Sequence, residues 1–241
     1  MTIADVAAFY AAEHGERLID ENRYPPEIAL FVREEAALLD TLAPSFDGLL
    51  EAGCMHGRYL DWAVRHEKAY LGLDIVARYV ERGRALAAAR GLDPCRHRFV
   101  LGAAEQLDAQ LGAQRAAERA ARWAVLFPFN SFGNVPDPAP VIDALCAARA
   151  PFLVSSYATS PRATDVRARY YRNCGYGGVR ALADERGVCF VAAEGLRSFA
   201  YDPRYLTALF AARGIALEAT PFAEIGIAYA APAEPPGRGR N

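Results

Sequence analysis

Apolar residues recur at helical spacing through the first forty-odd positions, in DVAAFYAAEHGERLIDENR and PPEIALFVREEAALLDTLA. They predict two helices parted by Pro25 and Pro26, prolines that suit the first turn of the second helix. The pattern then changes to short apolar runs that alternate with amphipathic ones. GLLEAG runs into a glycine turn, RYLDWAVRHE reads as a helix, AYLGLDI as a buried strand, and RYVERGRALAAARG as a helix closed by Gly91. HRFVLG, RWAVLFPF and PFLVSSYA read as further strands, separated by the helices AEQLDAQLGAQRAAERA and APVIDALCAARA. Strands alternating with helices imply parallel βαβ units. The expected class is therefore α/β, with a central, mostly parallel, doubly wound sheet and helices on both faces.

After Ala158 the alternation stops. ARYYRNCGYGG, Ala168 to Gly178, places Tyr170, Tyr171 and Tyr176 within seven residues. GVRALADERGVCFVAAEGLRSFAY then reads as a hairpin or meander outside the main pattern. DPRYLTALFAARG is a helix with Asp202 as N-cap and Pro203 in its first turn, and AEIGIAYA is a final strand. The tail APAEPPGRGRN is rich in proline and glycine and is expected to be disordered.

Composition narrows the function classes. Hydrophobic residues make up 53% of the 241, enough for a sizeable core. A net charge of −2 with both signs interleaved predicts neither a nucleic-acid stripe nor a polybasic membrane patch. No apolar run reaches ~18 residues, so no membrane span is expected, and the N-terminus does not read as a signal peptide. Five scattered cysteines without a CxxC read as reduced thiols of a cytoplasmic protein, and four isolated histidines offer no metal site. Partners are expected to be small molecules. The oligomeric state is not legible.

In an open α/β sheet, ligands bind beyond the carboxyl ends of the strands. Four such ends carry suggestive residues: EAGCMHG (Glu51 to Gly57), Asp74 at the end of LGLDI, Glu105 in LGAAEQL, and FPFNSFGN (Phe127 to Asn134). Taken singly, an ordinary turn, a helix N-cap and a first-turn acid account equally well for the glycines, Asp74 and Glu105. Their order along the chain, over roughly residues 45–230, resembles the class I S-adenosylmethionine-dependent methyltransferase family. Glu51, Gly53, Cys54 and Gly57 match its ExGCGxG turn. Asp74 matches its ribose-binding acid, with Ile75 beside it. Gly102 to Leu107, with Ala104 and Glu105, match its GDAEQL stretch, and Phe129, Asn130 and Ser131 its fourth-strand loop. Met55 stands where the turn usually has its middle glycine, and Ala103 where an aspartate often contacts adenine. The resemblance implies a Rossmann-like S-adenosylmethionine-binding domain over 45–231 with an insertion after the fifth strand over 159–200. It also implies an N-terminal helical lid over 1–44 and a tail over 232–241.

A tyrosine in an N-terminal helix (Tyr10), FNSFGN, the YYRNCGY insertion and a serine in GLRSFAY (Ser198) resemble a narrower group, the azetidine-2-carboxylate synthases. That resemblance implies that S-adenosylmethionine is itself the substrate. Its α-amine would attack its own γ-carbon, form azetidine-2-carboxylic acid and expel 5′-methylthioadenosine, without a metal. Ring faces attract the sulfonium, and acceptors placed at the nitrogen would favour the transition state. The residues expected at the nitrogen are Asn134, Tyr171, Tyr176 and Ser198. Backbone N–H groups of the first turn, or Arg58 or Tyr59, would hold the carboxylate, while Tyr10, Phe129 and Tyr170 exclude water. The alternative is a small-molecule methyltransferase acting on an amine or amino acid, its acceptor pocket lined by the tyrosines. A third reading is a non-catalytic binding subunit, motivated by Met55 and Ala103. The tyrosines are also open to a plain reading as the core of a packed lid.

Overall fold

A computed structural model of the chain describes residues 2–12, 14–117 and 122–231. Its elements in chain order are α1 (Ile3–Ala11), α2 (Pro26–Leu42), β1 (Gly48–Ala52), α3 (Leu60–Arg65), β2 (Ala69–Asp74), α4 (Ala77–Ala89), β3 (His97–Leu101), α5 (Leu107–Ala117), β4 (Trp123–Phe127), α6 (Pro138–Ala148), β5 (Phe152–Tyr157), α7 (Pro161–Asn173), β6 (Arg180–Asp184), β7 (Gly187–Val191), β8 (Arg197–Tyr201), α8 (Pro203–Ala211), β9 (Glu218–Phe222) and β10 (Gly226–Ala230). β1, β2, β4 and β5 are buried along their whole length, because helices cover both faces of the sheet. That is why they read as unbroken apolar runs.

The main sheet has the order β3-β2-β1-β4-β5-β10-β9. β1 to β5 run parallel, while β10 is antiparallel to both β5 and β9. Strand order reverses between β1 and β4, so the crevice beyond their carboxyl ends is where such a sheet binds ligands. The segment after β5 supplies α7 and a separate antiparallel sheet of order β6-β7-β8, in line with the expected meander. Asp202 caps α8 by accepting from the Arg204 amide, also as expected.

One local expectation changes, and two segments left without an element gain one. The first helix stops at Ala11 and gives way to 3-10 turns at Gly15–Leu18 and Glu21–Arg23. Gly15 packs against the Tyr10 ring so closely that a β-carbon there would lie 2.2 Å from Cδ1, and the tight return needs that glycine. β9, EATPF, is mostly exposed, contains Pro221 and lies at the sheet edge, so no apolar run announces it. The tyrosine cluster is for the most part helical, since Tyr170 and Tyr171 lie in the last turn of α7. The tail over 232–241 lies outside the described residues. Among those residues no helix is long and apolar enough to cross a membrane.

Candidate functional site

The crevice is a mostly apolar cleft whose lining runs from the β1 and β2 ends to the aromatic residues of α7. At the first end the chain leaves β1 through Gly53, which has a φ of +74°, and a β-carbon there would meet Cβ of Ser131 at 3.0 Å. Met55 takes the left-handed conformation, φ 51°, at the position where the resembling family usually has glycine. Its amide donates to Asp74 Oδ2 at 2.8 Å, and the Val76 amide donates to Asp74 Oδ1 at 2.9 Å. Asp74 thus ties the first turn to the start of α4, in an Asx-type turn. It also lines the cleft, with lone pairs to spare on both oxygens. Burial pushes its carboxyl up to about 6, although the backbone donors pull the other way. Ile75, Gly102, Ala104 and Glu105 line the same end.

Two residues expected here stand elsewhere. Glu51 is fully buried beneath the turn and does not line the cleft. Its Oε2 accepts from the Tyr59 amide at 3.0 Å and the Tyr70 hydroxyl at 2.5 Å, while Oε1 has no partner among the described residues. Burial pushes its carboxyl up to about 8, so it is neutral at pH 7 and braces the turn. Gly57, φ +100°, makes room for the protein itself: a β-carbon there would lie 2.9 Å from Cζ of Phe99.

At the other end the fourth-strand loop holds two successive left-handed residues, Phe129 (φ 46°) and Asn130 (φ 62°). Such backbone costs on the order of 1–3 kcal/mol per residue and persists only where neighbours enforce it. Glu35 does so for Phe129. It is fully buried on α2, its Oε2 accepts the Phe129 amide at 2.7 Å and its Oε1 accepts the Tyr59 hydroxyl at 2.5 Å. Asn130 enforces its own conformation. Its Nδ2 donates to Ser198 Oγ and to the Phe199 carbonyl, each at 3.0 Å, and its Oδ1 accepts from the Ser156 hydroxyl at 2.6 Å and the Tyr157 amide at 3.4 Å. Its side chain lines the cleft but is taken up in clamping β5 and β8 to the loop. The Arg58 guanidinium lies 4.4 Å from the centre of the Phe129 ring and also faces the cleft. Tyr59 faces a neighbouring groove instead.

Tyr10, Phe129, Tyr157, Tyr170, Tyr171, Asn134 and Ser198 face one another across this end of the cleft. Among the described residues the Asn134 side-chain amide has no hydrogen-bond partner inside the protein. Tyr170 donates to the Leu18 carbonyl at 2.5 Å and Tyr176 to the His14 carbonyl at 2.6 Å, so both phenols tie the N-terminal segment to α7. Tyr176, expected at the reacting nitrogen, therefore stands outside the lining with its hydroxyl engaged. Tyr79 makes a similar tie, donating to the Tyr10 carbonyl at 3.0 Å. Sequence reasoning passed over Glu35 and Arg167. Both break an apolar helical stripe: Ile28, Phe31, Glu35 and Leu39 on α2, and Ala163, Val166, Arg167, Tyr170 and Tyr171 on α7. A charge in such a register is the signal that could have found them.

No protein-family model matches the chain, and no curated protein matches its sequence. Solved structures do. The 1,6-didemethyltoxoflavin-N1-methyltransferase of Burkholderia thailandensis matches with a TM-score of 0.60 over 96% of this chain and 90% of its own, at 14% identity. The CcbJ methyltransferase of Streptomyces caelestis matches at 0.56 over 87% and 91%, with 20% identity. The chain has the class I methyltransferase fold. The glycopeptide N-methyltransferase MtfA shares it, at 0.54 over 82% and 94% with 15% identity. In this methyltransferase fold the cleft described above lies where the strand order reverses, between β1 and β4. At these identities the likeness establishes the fold and leaves the chemistry to the residues of the cleft.

Proposed function

We propose that this chain is an enzyme that consumes S-adenosylmethionine by intramolecular cyclisation, yielding azetidine-2-carboxylic acid and 5′-methylthioadenosine. The first end of the cleft suits the nucleoside: Asp74 offers spare lone pairs to a ribose diol, and Gly53 lets the first turn lie against Ser131 with its backbone bare toward the cleft. The observation that carries the reading is at the far end. Tyr10, Phe129, Tyr157, Tyr170, Tyr171, Asn134 and Ser198 supply rings, hydroxyls and a free amide, with no carboxylate, histidine or lysine among them. Such a site suits a nucleophile that needs no side-chain base. An α-amine beside a sulfonium is one, because the neighbouring cation already favours its neutral form. The ammonium gives its proton to water as the substrate enters; the neutral amine then forms the N–Cγ bond as the Cγ–S bond breaks, the sulfur leaves as a neutral thioether, and the ring nitrogen carries the positive charge.

The residues of this chain supply confinement and polarity. Tyr10, Phe129 and Tyr170 wall the sulfonium with ring faces and exclude water. The N-terminal segment over 1–44 acts as a lid, tied down by the phenols of Tyr170 and Tyr176. The free amide carbonyl of Asn134 accepts an N–H of the amine as positive charge moves from sulfur to nitrogen, the kind of interaction that grows in the transition state. Holding the methionine chain folded back supplies several kcal/mol more.

Methyl transfer to a small-molecule amine is the second reading. Two of the solved structures that share the fold are N-methyltransferases by name, and an amine acceptor equally dispenses with a base. One assay separates the two: purified protein is incubated with S-adenosylmethionine alone. Methylthioadenosine and azetidine-2-carboxylic acid in equal amounts are the expected products. No turnover until an amine acceptor is added, followed by S-adenosylhomocysteine, would replace cyclisation with methyl transfer.

A further inference from the structure

Behind the Tyr171–Ser198 wall of the cleft lies a charge that neither reading uses. Arg167 of α7 is fully buried, and no carboxylate pairs with it among the described residues. Its Nη1 donates to the Val188 carbonyl at 3.2 Å. Its Nη2 donates to the Ser198 carbonyl at 2.9 Å and reaches the Tyr171 hydroxyl at 3.4 Å and Ser198 Oγ at 3.5 Å. Its Nε has no partner among the described residues. Rings enclose the rest: Cζ lies 4.7 Å from the Phe190 ring centre, 4.8 Å from Tyr157 and 5.8 Å from Tyr171. A buried cation is costly unless something compensates it, and rings with carbonyls compensate only in part. Much of its positive potential therefore reaches the cleft.

The hydrogen bonds carry a second consequence. Ser198 Oγ already accepts from Asn130 Nδ2 at 3.0 Å and faces Arg167 with its other lone pair. The serine proton has no acceptor within the protein among the described residues, and neither does that of Tyr171. Both residues line the cleft, so each hydroxyl has a proton to offer there, while Tyr171 keeps one lone pair as well. A protonated amine against this wall would meet two O–H donors and a guanidinium one hydroxyl away.

We propose that Arg167 is a positioning residue: it turns the Tyr171–Ser198 wall into an electropositive, donor-rich surface, and its field keeps the substrate amine unprotonated. This rests on the reading above, in which an amine is the nucleophile, and it revises the role that the sequence suggested for Ser198. With its lone pairs turned to Asn130 and Arg167, Ser198 does not accept from nitrogen; that falls to Asn134. The groups facing the guanidinium are the Tyr171 phenol of α7, the Tyr157 phenol of β5, Phe190 and the Val188 carbonyl of β7, and Ser198 of β8, all uncharged; the Cys189 thiol of β7 also feels its charge, and burial holds that thiol in its neutral form. Around the cleft itself, Arg58 adds to the positive potential, while Asp74 and Glu105 lie at the nucleoside end.

Two measurements test this. The first titrates the amine of 15N-labelled S-adenosylhomocysteine bound to the wild-type protein and to Arg167→Gln. The probe has no sulfonium, and burial and Arg58 act alike in both complexes, so a difference between them reports the charge of Arg167. The expected result is an amine pKa lower by about one unit in the wild-type complex, in line with one charge at several ångströms in a partly screened site; equal values, or a lower one in Arg167→Gln, overturn the proposal. The second follows kcat against pH at saturating S-adenosylmethionine, where affinity losses at Asp74 do not enter. Arg167→Gln keeps donors but loses charge, and its acid limb is expected to move up by about one pH unit. Arg167→Lys keeps the charge and the wild-type limb. A limb that stays put in Arg167→Gln, or moves equally in both variants, leaves Arg167 a purely structural role. If the wild-type protein makes no methylthioadenosine from S-adenosylmethionine alone, cyclisation falls, and the titration of the bound amine still decides the role of Arg167.

Discussion

The two ends of the cleft solve opposite problems with buried charge. At the end beside β1 and β2 a carboxylate, Asp74, is held by backbone amides. Behind the aromatic end a guanidinium, Arg167, is held by carbonyls and hydroxyls and has no carboxylate partner among the described residues. The first arrangement suits hydroxyl donors. The second disfavours an ammonium against its wall and presents O–H groups. One region can therefore be described from a loop and a strand end, while the other depends on α7, β5, β7 and β8 arriving together.

The sharpest way to break that contrast is at Asp74. Asp74→Asn leaves one backbone amide facing an NH2 group and removes the charge from the diol site. Calorimetry with S-adenosylhomocysteine is expected to show affinity reduced by roughly 30- to 100-fold, the scale of a lost charge-assisted pair of bonds. The wild-type affinity is also expected to fall as pH drops below about 6, since the ionised carboxylate is the binding form and its folded pKa lies there. Asp74→Asn should lack that limb. Equal affinity in the two proteins would remove Asp74 from nucleoside binding.

Next in size is Glu35, which braces the aromatic end from α2. In Glu35→Gln one of the two donors, the Phe129 amide or the Tyr59 hydroxyl, meets an NH2 group instead of an oxygen. We expect about 2 kcal/mol of lost stability in urea unfolding, and a loss below about 0.5 kcal/mol would show that the left-handed turn at Phe129 stands without it. Tyr171→Phe and Tyr176→Phe then sharpen the division between wall and tether. The first removes a donor from the cleft and should lower kcat about tenfold with ligand affinity within threefold. The second removes the tie to the His14 carbonyl, worth about 1 kcal/mol, and should be read as faster hydrogen exchange in residues 3–18 with a smaller change in kcat. Reversal of the two patterns would return Tyr176 to the reacting centre.

Near pH 5 the smallest effect is expected at Glu51. Its folded pKa, about 8, lies above the ordinary carboxyl value. Its contribution to stability is therefore fully present below the unfolded value and is lost as pH rises from there toward 8, because only the unfolded chain then ionises freely. Glu51→Gln mimics the neutral form. It should change stability by less than about 1 kcal/mol near pH 5 and gain on the wild-type protein as pH rises. A variant that loses ground with pH would mean that the carboxylate is ionised in place.

Much of this was legible before any coordinates. Burial on both faces makes a parallel strand an unbroken apolar run, so β1, β2, β4 and β5 stood out, as did the cap at Asp202 and the meander after β5. β9 did not, since an exposed edge strand carrying Pro221 has no such pattern. Glu35 and Arg167 were visible as charges in apolar stripes. The same stripe accommodates a snorkelling surface residue and a fully buried one, and only packing tells them apart. Tyr176 illustrates the converse: three tyrosines in seven residues look equivalent, yet one ties down the N-terminal segment and another walls the cleft.

The sequence by itself determined what is local: which segments are strands or helices, where turns fall, and which carboxylate stands at the end of β2. These follow from periodicity, caps and side-chain size within a few residues. Only the tertiary structure decided which way each polar group faces. The free lone pair on Asn134, the protons of Tyr171 and Ser198, and the uncompensated charge of Arg167 depend on donors and acceptors brought together from distant stretches of chain. Hydrogen bonds are satisfied by whatever arrives within about 3 Å, and no spacing along the chain specifies that.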